Sequence, residues 1–237
     1  MPGISTCCLM GESLAAALDR LAPLTDLIEV MDEGPHLITE PDLFSSYTQK
    51  FVLHAPFHGI NVASLFEPIR RASVQVTTDC FEAAAAIGVA GVVVHPGYYA
   101  WEQEREAADR QFRKSLRELR HSAREHSLTF WFENMGNMNF FNLRTPESLA
   151  LIGKTGLTLD TGHAHLNGCL EEFLKTPFCH MHIHDNKGKA DTHSAIGEGT
   201  IDFKPVLEAL ERTGATAVLE MKDYPAVIRS IKALDVL

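Results

Sequence analysis

Histidine and aspartate residues cluster in one stretch of the chain, between residues 180 and 193. An apolar run leads into this stretch and is typical of a β-strand, whose alternation would place His180, His182 and His184 on one face. Asp191 and His193 follow in the same loop. Imidazole nitrogens and carboxylate oxygens gathered at one strand end are the donors that zinc, manganese or iron ions take. The stretch therefore predicts a metal site.

Further candidate ligands stand at the carboxyl ends of other predicted strands. If these strands form a parallel barrel, their ends meet at one rim, which is where enzymes of that fold keep their active sites. A single histidine at a strand end is more often a hydrogen-bonded structural residue than a ligand, and His165, His180 and His184 are mainly interpreted in that way. The predicted metal ligands are His54, His95, Glu133, Asp160, His163, His182, Asp191, His193 and Glu220.

The acidic members of this set give an electrostatic reason to expect bound metal. Glu133, Asp160, Asp191 and Glu220 would surround one small cavity, and the same loops contain no matching cluster of Lys or Arg. Carboxylates confined in this way would have to take up protons or repel one another. Divalent cations remove the conflict, and the histidines among the carboxylates favour transition metals over magnesium or calcium. We expect zinc, with manganese as the alternative.

Eight strand-like segments alternate with helical segments along the chain. This alternation predicts a single (β/α)8 TIM-barrel domain over residues 1–237, with the metal site at the C-terminal rim of the strands. A doubly wound sheet is the alternative, but no Gly-x-Gly-x-x-Gly follows the first strand. The strands are predicted at residues 4–10, 26–31, 50–55, 89–95, 128–133, 156–160, 178–183 and 215–221. Helices are predicted at residues 12–23, 65–87, 102–125, 170–174, 202–212 and 225–234, with Gly88 ending the second and shorter helices beginning near Pro41 and Thr145.

Composition limits the classes of partner. The net charge is −10, with 31 acidic against 21 basic residues, and no long Lys or Arg run offers a broad face for nucleic acid. The five cysteines form no Cys-x-x-Cys pair and are typical of reduced thiols. No segment is long and apolar enough to span a membrane. We expect a cytoplasmic protein with no membrane association and no implied protein partner.

Several motifs together resemble the endonuclease IV branch of the xylose isomerase-like barrel superfamily, also called AP endonuclease family 2. They extend in the family's order over most of the chain, as far as Glu220. These motifs are His-Ala-Pro-Phe-His-Gly-Ile-Asn at 54–61, His-Pro-Gly at 95–97, Glu-Asn at 133–134, Leu-Asp-Thr-Gly-His-Ala at 159–164, Met-His at 181–182, Asp-Thr-His at 191–193 and Ile-Gly-Glu-Gly at 196–199. The resemblance implies a barrel with up to three zinc ions at its mouth.

The resemblance also implies how the ligands are divided among three ions. One ion would take His54, His95 and Glu133. Glu133 would bridge to a second ion that is also bound by Asp160, His182 and Glu220, and a third ion would take His163, Asp191 and His193. Two features differ from the DNA-cleaving members: the loop at residues 32–36 is acidic, and Phe57 stands where a tyrosine is typical.

Two enzymatic functions from this superfamily fit the residues. The first is phosphodiester hydrolysis on an abasic-site DNA or a small sugar phosphate, with Glu133 orienting the attacking water. The second is isomerisation or epimerisation of a small polyol around one ion, with Glu133 and Glu220 exchanging protons with the substrate. The hydrolase is favoured, because the isomerase leaves five predicted ligands without a role. A barrel that has lost catalysis is a third interpretation. The predicted substrate contacts are Phe57, Asn134 and His184, with His58 beside Phe57 as a further candidate.

Overall fold

A computed structural model describes residues 1–138 and 140–236. In this part of the chain, eight parallel strands form a closed barrel in sequence order, β1 to β8, and β1 pairs with β8 to complete it. The strands are β1 (Gly3–Ser5), β2 (Leu27–Met31), β3 (Lys50–His54), β4 (Val92–Val94), β5 (Phe130–Glu133), β6 (Gly156–Asp160), β7 (His180–Ile183) and β8 (Thr216–Leu219). The predicted TIM barrel is therefore confirmed. The single domain over residues 1–237 stays a prediction, and it includes Asn139 and Leu237, which lie outside the described residues.

Seven α-helices lie among the described residues and cover the outside of the barrel. Their apolar faces pack on the strands in one continuous core. The second helix ends where the sequence predicts, because Gly88 adopts a left-handed conformation with φ of 77° and closes the last turn. The helices are α1 (Leu14–Leu21), α2 (Glu67–Ile87), α3 (Arg105–Glu125), α4 (Thr161–Leu166), α5 (Leu170–Leu174), α6 (Phe203–Thr213) and α7 (Tyr224–Leu234). No helix in the described ranges has the length and apolar character needed to cross a bilayer.

Differences from the predicted elements are local. The predicted strand at residues 4–10 ends at Ser5, because the Ser5 hydroxyl accepts a hydrogen bond from the Cys7 amide and begins a 3-10 helix, Thr6–Leu9. The predicted strand at residues 89–95 keeps only its three central valines. Helix α4 has no counterpart among the predicted helices. It begins directly after β6, because the Asp160 side chain accepts the His163 amide at 2.6 Å.

Candidate metal centre

The first group of candidate ligands joins three neighbouring strands. His54 ends β3, His95 follows β4, and Glu133 ends β5. The Nε2 atoms of His54 and His95 lie 3.3 and 3.0 Å from Oε2 of Glu133. His54 and Glu133 are buried, and the His95 side chain is 22% exposed. The structure therefore brings these three candidate ligand atoms together, and their role in binding metal stays a prediction.

The second group lies at the centre of the barrel mouth, and we call it the central group. It contains Glu133, Asp160, His182 and Glu220, all of them buried. Nδ1 of His182 lies 3.3 Å from Oε1 of Glu133, 3.1 Å from Oε2 of Glu220 and 3.8 Å from Oδ2 of Asp160. Because Oε2 of Glu133 faces the first group and Oε1 faces the central group, this carboxylate occupies a bridging position.

The third group comes from α4 and from the loop after β7. Nε2 of His163 lies 2.9 Å from Oδ2 of Asp191, and Nε2 of His193 lies 3.4 Å from the same oxygen. His184 joins this group, since its ring stacks on His193 at 4.0 Å and its Nε2 lies 3.7 Å from Oδ1 of Asp191. All nine predicted ligands are therefore distributed over three adjoining groups.

The fold of the β7 loop explains how Asp191 and His193 reach the barrel mouth. Asp185 and Ser194 pair as an antiparallel bridge that closes the loop. The buried Asp185 carboxylate accepts backbone N–H groups from Asn186, Gly197, Gly199 and Ile201, which fixes the far side of the loop. The backbone of His193 is held in the left-handed region, with φ of 42°. Strain of this kind in a non-glycine residue is typical of functional sites.

The hydrogen bonds of the ring nitrogens show that these residues fit divalent metal. Nδ1 of His54 donates to the Ala55 carbonyl, Nδ1 of His163 to the Asn134 carbonyl, and Nδ1 of His193 to the Glu220 carbonyl, at 2.9, 2.9 and 3.0 Å. A carbonyl only accepts, so in the neutral rings the lone pair is on Nε2, the atom that faces the carboxylates. This is the outer-shell arrangement of metal-ligating histidines. Within each group the ligand atoms lie within 4.8 Å of one another.

Protons on the histidines balance the carboxylate charges in the metal-free chain. Burial favours the neutral form of Glu133, but the nearby His182 and His95 outweigh it and hold the pKa of Glu133 well below its ordinary value. For Glu220, burial is likewise outweighed by His182 and His193, which lower its pKa to about 2. Conversely, the surrounding carboxylates overcome burial and raise the pKa of His193 to about 9. The pKa of His182 is likewise raised well above 6.5. Metal binding must therefore displace these protons.

A cavity of about 450 Å³ opens above the three groups. Its walls are largely apolar, with Phe57, Tyr98, Met138 and Phe141 among the lining side chains. Of the predicted substrate contacts, Phe57 lines this cavity, and its ring packs 4.8 Å from that of His95. His58 also lines it. None of the described residues that line the cavity is a lysine or an arginine.

The other two predicted substrate contacts, Asn134 and His184, are buried below the cavity. The Asn134 amide makes two hydrogen bonds to the backbone of Asp160, at 2.7 and 3.0 Å, and so ties β5 to β6. His184 places Nε2 3.0 Å from Oδ1 of Asp160. Both residues contact a predicted metal ligand, and their contact with substrate stays a prediction.

Sequence reasoning missed Glu29, which is fully buried inside the barrel and contacts both His180 and His182. The available signal was a single acidic residue within the apolar run Leu-Ile-Glu-Val-Met of β2. It also missed the aromatic and methionine residues of the cavity wall, Tyr98, Met138 and Phe141, because they belong to loops without periodic patterns.

A closed parallel barrel with clustered histidines and carboxylates at its mouth defines the class of this protein, a TIM barrel with a candidate metal centre. Residues 42–235 match the family described as xylose isomerase-like TIM barrel. Because this match covers most of the chain, the protein belongs to that family. The resemblance stated from the sequence is thereby confirmed.

Proteins with different names are similar to this chain. An uncharacterized protein of Methanocaldococcus jannaschii is 31% identical, over 95% of each chain. A protein of Mycobacterium leprae named probable endonuclease 4 is 29% identical, over 79% of each chain. The crystal structure of a D-tagatose 3-epimerase-like protein superposes with a TM-score of 0.90 at 31% identity, covering 99% of this chain and 95% of that one. These relatives are named after two different reactions, so the reaction of this protein has to be inferred from the residues of its site.

Proposed function

We propose that this protein is a divalent-metal-dependent phosphodiesterase that acts on small phosphate esters. The observation that carries the proposal is the third group, in which His163, Asp191 and His193 gather within reach of the other two groups. Bound zinc ions would polarise the phosphoryl oxygens and lower the pKa of a water molecule. An isomerase with one ion in the central group has no use for the third group.

The chain's own residues have separate tasks in this reaction. Glu133 reaches both the first and the central group through its two oxygens, so it orients the attacking water between them. His163, Asp191 and His193 lie together and would hold an ion that stabilises the negative charge on the leaving oxygen of the ester. The apolar wall excludes bulk water from the phosphorus and packs against the organic part of the ester.

The cavity favours a small ester over duplex DNA. Its described lining has no Lys or Arg side chain, whereas proteins that grip DNA neutralise phosphates with these two residues. Glu33 also lies at the rim, where its carboxylate accepts hydrogen bonds from the amides of Phe57 and His58 at 3.2 Å. A negative charge at this position repels a phosphate backbone.

Epimerisation of a sugar is the second candidate, and one observation favours it. Glu133 and Glu220 both contact Nδ1 of His182, so the central group contains two neighbouring carboxylates. Proton exchange with a bound ketose would use two such groups, one as the acid and one as the base. The structural similarity to the D-tagatose 3-epimerase-like protein agrees with this candidate.

Two variants separate the candidates. Zinc-loaded wild type, His163→Ala and Glu220→Gln are each assayed with bis(p-nitrophenyl) phosphate, an abasic-site duplex and a panel of ketoses. We expect hydrolysis of the diester, reduced about 100-fold or more in His163→Ala. Faster cleavage of the duplex than of the diester would identify DNA as the substrate. Ketose epimerisation that survives in His163→Ala but is lost in Glu220→Gln, without hydrolysis of any ester, would overturn the proposal.

A further inference from the structure

A buried chain of polar residues extends from the central group into the barrel interior. Glu29 on β2 and His180 on β7 are both fully buried. Nε2 of His182 lies 3.1 Å from both carboxylate oxygens of Glu29. Nε2 of His180 donates to Oε2 of Glu29 at 2.9 Å, and the Thr216 hydroxyl faces Nδ1 of His180 at 2.7 Å. A charged residue at this depth requires a partner, and within the described residues Glu29 pairs with these two rings.

The contact with Glu29 makes His182 different from three other candidate ligands. His54, His163 and His193 each donate Nδ1–H to a backbone carbonyl and present Nε2 to their group. In His182 the two ring nitrogens have the opposite roles. Glu29 accepts the Nε2–H, and Nδ1 faces the carboxylates of the central group. In addition, its outer partner is a carboxylate, which raises the basicity of the ligating nitrogen more than a carbonyl does.

We propose that Glu29 is a positioning residue, which selects Nδ1 of His182 as the ligand atom of the central group and thereby sets the metal affinity of that group. His180 fixes the Glu29 carboxylate, and it is held in turn by Thr216 and by stacking on the Trp131 ring at 5.4 Å. The first group shares Glu133 with the central group, whereas the third group shares no residue with it, so the affinity of the third group is the internal reference. The inference rests on the metal centre of the proposed function.

The direct test reads the protonated nitrogen of each histidine. Long-range proton–nitrogen NMR of the zinc-loaded wild type should show the proton of His182 on Nε2 and the protons of His54, His163 and His193 on Nδ1. Zinc on Nε2 of His182 would overturn the inference. This measurement needs no substitution, so it does not depend on a variant that folds.

Calorimetric zinc titration of Glu29→Gln gives the second readout. The substitution keeps the size of the side chain but removes its charge, and the affinity of the central group should fall about 10–100-fold while the third group binds as in wild type. Asp32→Asn is the matched control, because Asp32 is also buried beside β2 but its side chain accepts the Ile38 amide rather than a candidate ligand. Equal central-group affinity in Glu29→Gln and wild type would refute the inference alone. A wild type that binds no zinc would instead refute the metal centre itself.

Discussion

The close contact between Gly162 and His184 provides a quantitative test of how the site is packed. A Cβ atom on Gly162 would lie 1.9 Å from Cε1 of His184 and 2.5 Å from its Nδ1. Ordinary contact begins at 3.4 Å, so the ring would have to retreat by at least 1.5 Å. His193 is stacked on this ring with its centroid 4.0 Å away, so a retreat disturbs the third group as well.

The Gly162→Ala substitution should therefore destabilise the protein and weaken the site together. Overpacking costs about 1–3 kcal/mol. Loss of the bond from His184 to the buried Asp160 carboxylate adds about 1–3 kcal/mol, giving a total of about 2–6 kcal/mol. Urea denaturation of the metal-free protein measures this loss of unfolding free energy, and calorimetric zinc titration measures the accompanying loss of affinity at Asp160 and His193.

Gly11→Ala is the matched control for this substitution. A methyl group added at Gly11 would meet nothing within 4 Å, and the Gly11 backbone is not left-handed, so the unfolding free energy should stay within about 0.5 kcal/mol of wild type. If Gly162→Ala were as stable as Gly11→Ala and bound zinc equally well, the packing described for His184 would be refuted.

Three further perturbations test the electrostatics and the loop. Removal of metal by a chelator at neutral pH should lower the melting temperature, since an ion at 100 times its Kd contributes about 2.7 kcal/mol; an unchanged melting temperature after verified removal would contradict the metal centre. In the metal-free protein, the unfolding free energy should fall as the pH rises from about 6.5 through about 9. The protonated form of His193 stabilises the fold because its pKa is raised, and this contribution is complete below pH 6.5 and lost above pH 9. A flat profile of unfolding free energy against pH, measured by denaturant titration, would exclude this linkage. Asp185→Ala should cost about 2 kcal/mol or more, because four N–H groups lose their acceptor and those of Asn186 and Ile201 are buried. It should also abolish zinc binding by Asp191 and His193; calorimetry that still finds the third group intact would show that another contact holds the loop.

The barrel could be predicted from the sequence because each strand and helix carries its own pattern. The strand at Gly156–Asp160 and the helix at Leu170–Leu174 match their predicted bounds. Strand ends of a parallel barrel must share one rim, so the convergence of the nine candidate ligands also followed from the order of the elements. The short helix α4 lacked such a signal, since six residues are fewer than two turns and Asp160 serves as both its cap and a candidate ligand.

The partners of buried polar groups could not be predicted, because they depend on three-dimensional packing. Glu29 and His180 are separated by 151 residues in the sequence, and only barrel closure brings them together. The sequence leaves His184 open between a structural role and substrate contact, whereas in the structure this residue stacks on His193 and contacts Asp160. The apolar wall is set by loop conformations around Tyr98 and Phe141, which pair across two loops.

Zinc content per chain tests the central claim of three adjoining metal groups most directly. Elemental mass spectrometry of protein purified without chelator should find about three zinc ions in wild type and about two in His163→Ala, one for each intact group. His165→Ala is the matched control, because His165 lies on the same helix but bonds to Thr200 outside the groups, and it should retain about three. A single ion per chain that is indifferent to His163→Ala would contradict the claim.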